Sequence, residues 1–343
     1  MASMVPKAVL YYDPKSIWCA AVLLALEEKG YGHDEIDKKQ VDLASGGNFD
    51  PTFLRLNPKA TVPTLVVPLD KTLPDDVESR YKALTETESI IDFLDKSRSA
   101  MSRTHTTSSA PAPSLRPATF AFSTKSKAII DAIHSEEGNP NHLTYVNARN
   151  ETALRALAAD RLPGLSRQHK ALAKHISDAD QGKLHVSAKT KAFWQEKKVA
   201  VGLLLAVFEK SNEGDSELAG DALSDRQQFY AEAHKSWEVG LKVVLDKVNG
   251  EVIGPFSLGD QLSLADLHLA SWLARLVKLS GGLYEDNGDT AIAKLEAHVG
   301  VVTKDFETED AQGKTQNHSK LAAFWDAMRV RPSWKEVYGQ GLY

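Results

Sequence analysis

Cysteine is nearly absent: the 343-residue chain has one, Cys19. That excludes an internal disulfide framework and any multi-cysteine zinc or iron–sulfur site, and it fits a reducing cytosol. An excess of one charge is also missing. The 41 basic and 46 acidic residues leave a net charge of −5. A nucleic-acid binder needs a basic face, so no nucleic-acid partner is expected. Long apolar runs are lacking too. The longest, Val199 to Phe208, is half of the roughly 20 residues that span a bilayer. Met1 to Lys7 lead straight into a strand pattern, without the charged and apolar regions of a leader peptide. No membrane partner is expected, and the glycosylation sequons at Asn150 and Asn317 read as chance matches. HExxH, a phosphate loop, GxSxG and a post-strand GxGxxG are all missing. The eleven histidines are scattered, and His169 and His175, six apart, are poorly spaced for one helix face, so no metal is expected.

What is present is enough for a full core. Hydrophobic residues make up 42% and charged residues 25% of a length that suggests two domains. The first 96 residues alternate strand and helix signals. Ala8 to Tyr12 reads as a buried strand and Asp13-Pro14 as its break. Ser16 to Lys29 reads as a helix with Gly30 as its stop, and His33 to Leu43 as a strand. Asp50 to Leu56 is a short helix, Val62 to Val67 and Tyr81 to Thr85 are strands, and Glu86 to Lys96 is a helix. The order β-α-β-α-β-β-α is thioredoxin-like. Residues 97–124 are rich in Ser, Thr, Ala and Pro, and Ser97 to Ser123 has no acidic residue; this predicts a flexible linker or insertion. From Lys125 to Tyr343 only helices are expected, over Ala128–Ser135, Glu151–Ala159, Ser166–Ser177, Ala188–Lys210, Ser224–Val248, Ser263–Ser280 and Lys320–Arg331. The fold class is therefore α/β plus all-α: a thioredoxin-like domain, then an elongated helical domain.

Three places in the first domain carry chemistry. Ser16 sits at a helix start, where free N–H groups and the helix dipole favour negative charge. It is either a plain N-cap or a catalytic hydroxyl aimed at a ligand. Cys19, one turn on, is either a nucleophile of lowered pKa or an inert thiol turned inward among Ala20, Val22 and Leu23. In Asn57-Pro58-Lys59-Ala60-Thr61-Val62-Pro63-Thr64-Leu65, a cis Val62–Pro63 bond would turn the N–H and C=O of Val62 outward to pair with a peptide backbone. An ordinary trans proline at a strand edge is the alternative. Glu88 and Ser89 open a helix whose N–H groups can hold a carboxylate while the glutamate pairs with an ammonium; the plainer reading is a cap with a first-turn acid.

In this order the three features resemble the glutathione transferases. Tyr11-Tyr12-Asp13-Pro14-Lys15-Ser16-Ile17-Trp18-Cys19 is similar to the active-site strand and helix of serine-type, theta-like members. Asn57 to Leu65 resembles the cis-proline segment, and Glu88 to Leu94 the glutamyl-binding helix start. Leu258-Gly259-Asp260 and Ser263-Leu264-Ala265-Asp266 resemble the family's capping box, which satisfies a buried helix start. The stretch 97–190 has little counterpart in compact members and resembles the insertion of the ganglioside-induced differentiation-associated branch, or the elongated domain of fungal members. That branch's C-terminal anchor has no match in Val337 to Tyr343.

The resemblance implies glutathione as co-substrate and a small hydrophobic electrophile or ligand as partner, in a cytoplasmic homodimer used in detoxification. Val62 and Pro63 would bind the cysteinyl backbone, Glu88 and Ser89 the γ-glutamyl end, and Ser16 would stabilise the thiolate. Tyr12 and Trp18 would line the second-substrate site. Two positions depart from the pattern. Asn48 stands where a histidine is common, and Thr61 precedes Val62 where a lysine is common, with Lys59 two places earlier. Fewer cations therefore face the glycyl carboxylate. The rival readings are a non-catalytic binding protein for hydrophobic ligands or a protein partner, and a redox role for Cys19.

Overall fold

Seven elements of the first domain follow the expected order in the computed structural model, which describes residues 7–68, 81–99, 108–301, 306–309 and 315–343. They are β1 (Ala8–Tyr12), α1 (Ile17–Glu28), β2 (Ile36–Gln40), α2 (Pro51–Leu56), β3 (Thr64–Pro68), β4 (Tyr81–Leu84) and α3 (Thr87–Ser97). The sheet runs β2-β1-β3-β4, with β2 parallel to β1 and the other pairs antiparallel. This is a thioredoxin-like unit. Asp50 caps α2 ahead of Pro51, and Gly30, at φ 65°, ends the α1 turn in the left-handed region that favours glycine.

The second half is a long helical region: α4 (Phe120–Ile133), α5 (Pro140–Tyr145), α6 (Glu151–Asp180), α7 (Ala188–Phe208), α8 (Asp221–His234), α9 (Leu241–Glu251), α10 (Leu264–Leu279), α11 (Gly288–Val299), α12 (Lys320–Arg329) and α13 (Pro332–Tyr338). One core runs through both halves, from Leu10, Leu24 and Ile91 to Leu267, Trp272 and Phe324. The apolar α1 is its hinge-pin: it packs on α3 within its own domain and on α10 and α13 of the other. Glu28 of α1 takes two bonds from Arg331 (2.6 and 2.5 Å) and one from Ser333.

Several expectations need correction. Residues 108–124 are not a free tether. Where described, from Ser108 on, they are strapped to the end of α1: Lys29 Nζ donates to the Pro113 carbonyl (2.5 Å), and Arg98 Nη2 to those of Ser108 and Ala110 (3.3 and 2.9 Å). Leu115 is buried and its N–H donates to Asp95. Composition missed this because two of the anchors, Lys29 and Asp95, lie outside the segment. The helix expected from Ala128 begins at Phe120, capped by Thr119, and its Ile129 and Ile133 are fully buried, so this part of the 97–190 stretch is core. Thr106 and Thr107 lie outside the described residues, as do Met1 to Pro6.

The two helices expected on either side of Pro163 are one, α6, which runs through the proline. A mid-helix proline costs about 3 kcal/mol. Here the buried stripe Leu154, Ala158, Leu165 and Leu172, packed along α7, holds the helix together. The helix expected over Ser224–Val248 is α8 and α9 joined by a π-helical turn, Lys235–Gly240, around the buried Trp237. The second half is also not purely helical: a two-stranded hairpin, β5 (Phe306–Glu309) and β6 (Thr315–His318), has no counterpart in the expected order, and neither does α11. For α11 the signal was there, in Ala291, Ile292, Leu295 and Val299. Among the described residues no helix is long and apolar enough to cross a membrane, and no cluster of His, Cys, Asp or Glu is placed to hold a metal.

Candidate active site

Sheet register gathers the three chemical segments at one end of the first domain. Tyr11, near the end of β1, pairs with Thr64, the first residue of β3, so the Ser16 turn leaves the sheet beside Val62 and Pro63. Leu65 pairs with Leu84, the last residue of β4, so the chain enters α3 at the same end. An exposed ion pair, Lys59 with Glu86 (2.6 Å), joins the proline segment to the α3 entry.

Ser16 is the N-cap of α1. Its Oγ accepts from the Cys19 N–H at 3.4 Å, a long bond. A capping serine accepts through oxygen, which leaves its O–H hydrogen to donate elsewhere. The cap and the catalytic reading therefore coexist. No acidic residue lies in the first turn of α1, and the nearest carboxylate is that of Asp13 in the turn before it. Cys19 beside it is fully buried, and burial pushes its thiol up to about 12, against hydrogen bonds from Ser16 and the Asp13 backbone that pull it down. A thiol of that pKa is almost wholly protonated at neutral pH, which removes Cys19 as a nucleophile.

Val62 precedes a cis bond to Pro63. Its side chain is pinned in a small core with Cys19, Val41 and Phe53, packed by Tyr11 and Tyr12. Its backbone N–H and C=O take no hydrogen-bond partner among the described residues. The first N–H groups of α3, those of Thr87, Glu88 and Ser89, are likewise unpartnered there, and the cap residue Glu86 makes no side-chain bond to them. Glu88 and Ser89 are exposed. Such a helix start is suited to a carboxylate.

Two organising residues were not singled out from the sequence. Asp13 read as a strand breaker; its carboxylate is buried and accepts from the N–H groups of Lys15 (2.8 Å) and Leu43 (3.1 Å), fixing the turn before Ser16. Asn57 is fully buried; its amide donates to the carbonyl and hydroxyl of Thr61 and the hydroxyl of Thr64 (2.8 to 3.1 Å) and accepts from the Lys59 N–H. That network shapes the loop before Pro63, where Ala60 sits at φ 56°. A buried Asn or Asp next to a proline was the available signal.

The other expected residues are placed as follows. Asn48 donates its amide to the Ala60 carbonyl (2.8 Å), supporting the proline loop. Thr61 is exposed, with its hydroxyl turned to Asn57. Tyr12 is half-buried against the core. Trp18 is stacked on His134 of α4 (3.9 Å between ring centres), and His134 Nε2 is 2.9 Å from His268 Nδ1 of α10. Trp18 thus belongs to the seam between domains. His268 is buried, and burial pulls its pKa down to about 3. The long α6–α7 arm reaches back over the first domain: Gln168 donates to the Leu43 carbonyl, and Trp194, stacked on His175, donates to the Phe49 carbonyl.

Comparison with known proteins agrees with this geometry for the first domain. Residues 15–97 match the family described as the N-terminal domain of glutathione S-transferase. Over 63 residues, 18% of the chain, the sequence is 46% identical to a tetrachloro-p-hydroquinone reductive dehalogenase of Sphingobium chlorophenolicum. Over 56 residues, 16% of the chain, it is 41% identical to glutathione S-transferase 2 of Anopheles gambiae. These matches span 24% and 25% of those relatives. Among solved structures, a Sulfitobacter glutathione transferase homologue with bound glutathione aligns at TM-score 0.44 and 17% identity, covering 96% of each chain. Glutathione transferase F7 of Populus trichocarpa aligns at TM-score 0.46 and 15% identity, covering 96% of this chain and 97% of that one.

Proposed function

We propose that this chain, whose first domain is of the glutathione S-transferase N-terminal family, is a glutathione transferase that conjugates glutathione to apolar electrophiles. The observation that carries the reading is the set of unpartnered backbone groups at one end of the sheet: Val62 N–H and C=O beside the Ser16 turn, and the open N-terminus of α3. They match an extended peptide with a free amino-acid end. Val62 pairs with the cysteinyl backbone. The α3 N–H groups and Ser89 hold the γ-glutamyl carboxylate, and Glu88 faces its ammonium.

Ser16 Oγ–H donates to the sulfur. Glutathione supplies the nucleophile, and the protein's task is to keep it ionised. A free thiol of pKa near 8.5 is only a few per cent thiolate at neutral pH. Lowering that by about 2 units needs about 2.7 kcal/mol. One hydrogen bond to a charged acceptor, about 1.5–3 kcal/mol, and the α1 dipole, about 0.3–1 kcal/mol, supply it. A thiolate is also a better acceptor than the protonated Cys19 thiol that Ser16 now faces. Isothermal titration with glutathione tests the reading: saturable uptake is expected, and no uptake refutes it.

One observation favours a second reading, a binding protein for hydrophobic ligands or a partner without turnover. The groups nearest the glycyl end are already engaged, Asn48 with Ala60 and Lys59 with Glu86. A thermal-shift series separates the two: stabilisation by aromatic ligands with none by glutathione selects the binding protein.

A further inference from the structure

The turn that presents Ser16 is held from the other domain by one guanidinium. Arg275 lies on α10 and is buried. Its Nη2 donates to the carbonyl of Lys15, the residue before Ser16, at 2.7 Å. Its Nε donates to the Tyr343 carbonyl at 2.7 Å, and its Nη1 to the Thr144 hydroxyl of α5 at 3.2 Å. Thr144 in turn donates to the Pro140 carbonyl at 2.7 Å, so it is fixed as an acceptor. Among the described residues no Asp or Glu side chain forms an ion pair with Arg275. The charged and titratable groups facing it include the main-chain carboxyl of Tyr343, the Arg161 guanidinium from α6 and the phenols of Tyr145, Tyr338 and Tyr343. Burial pulls Arg275 down to about 10, which leaves it charged at neutral pH.

We infer that Arg275 is a positioning residue for the thiolate: by gripping the Lys15 carbonyl it fixes the peptide that leads into Ser16, and it places a positive charge behind the α1 start. The inference rests on the glutathione reading above and adds to it that the site is completed by the helical domain. The physical reason is geometric. Asp13 holds the Lys15 N–H (2.8 Å) and the Ser16 N–H donates to the Asp13 carbonyl (3.0 Å), so the first domain fixes this turn through its N–H groups. The Lys15 carbonyl is fixed by Arg275. A planar fork bonding three acceptors in different directions is a task for arginine, and lysine reproduces its charge without its geometry. A misplacement of about 1 Å at a reacting group costs on the order of 10²-fold in rate.

The test compares Arg275→Met and Arg275→Lys with wild type by three readouts: glutathione affinity, the pKa of the bound thiol from thiolate absorbance, and the pH profile of conjugation. In Arg275→Met the affinity stays within about threefold, since Val62 and α3 are untouched. The bound-thiol pKa rises by about one unit, a tenfold loss of thiolate below that pKa, and the rate recovers at alkaline pH. Arg275→Lys falls between the two. A wild type that binds glutathione with a lowered thiol pKa, and an Arg275→Met with the same pKa and only a lower melting temperature, overturns the role of Arg275 and leaves the transferase reading standing. A wild type that takes up no glutathione overturns both.

Discussion

The two ends of α1 are built on opposite plans. At its N-terminus Ser16 makes one long cap bond, and the neighbouring groups of Val62 and α3 have no partner among the described residues. At its C-terminus polar groups are densely bonded. Lys29, fully buried, pairs with Asp95 (2.8 Å) and donates to Pro113. Arg98 donates to the Lys29 carbonyl (2.7 Å) and to two carbonyls of the strap, while Glu35 accepts from the Ser108 N–H. One helix thus has an end that holds the molecule together and an end left open for a ligand. Backbone N–H and C=O groups left without a protein partner at a helix start and beside a proline are the ones an extended ligand can use.

The largest effect is expected at the closed end. Lys29→Met removes the buried cation from the Asp95 carboxylate, leaving it the Leu115 N–H and Arg116 at 3.9 Å, and should cost about 3 kcal/mol in denaturant unfolding, whereas Lys29→Met with Asp95→Leu should recover much of that loss. An equal loss in the single and double variants would break the comparison, since the pair would then not be the lock. At the open end the balance reverses. Ser16→Ala should lower the conjugation rate about 10- to 150-fold, from a hydrogen bond of about 1.5–3 kcal/mol, with only about 1 kcal/mol of stability lost with the cap. Unchanged conjugation would remove Ser16 from the chemistry.

A pH-dependent effect is expected at the seam beside the open end. His268 is buried neutral, with its pKa lowered to about 3 by burial and by His134. The unfolded chain, with histidine near 6.5, binds the proton first, so stability rises with pH between about 3 and 6.5. Acidification below 6.5 should cost up to about 1.4 kcal/mol per pH unit from this group, and His268→Gln should lessen the overall slope in denaturant titrations across pH 4 to 7, leaving the share of His134 and His298, which burial also pulls down to about 4. A slope unchanged by the substitution would assign it to those other groups.

What was legible in the chain was local. The β1 run, the Asp13-Pro14 break, the Ser16 cap, the Asp50-Pro51 start of α2 and the Ser263–Asp266 box act within a few residues of themselves, and each appears as expected. Asp266 accepts from the Ser263 N–H and hydroxyl and also from the Ser257 N–H, so the box ties in a loop as well. Two of the failures were cases where a distant partner overrode the local signal, while α11 was missed although its apolar spacing was present. Pro163 sits inside a helix because of packing along α7, and Ala110 to Leu115 are ordered by side chains of α1 and α3.

The sequence by itself determined the order of the seven elements of the first domain, the helix start at Ser16 and the proline at 63, since backbone sterics and caps are written in neighbouring residues. Only the tertiary structure decided that the cap bond of Ser16 is a long one, that Cys19 is sealed away, and that Arg275, 260 residues further along the chain, holds the Lys15 carbonyl. Those outcomes depend on burial and on which long-range groups meet, and neither is set by the spacing of residues along the chain.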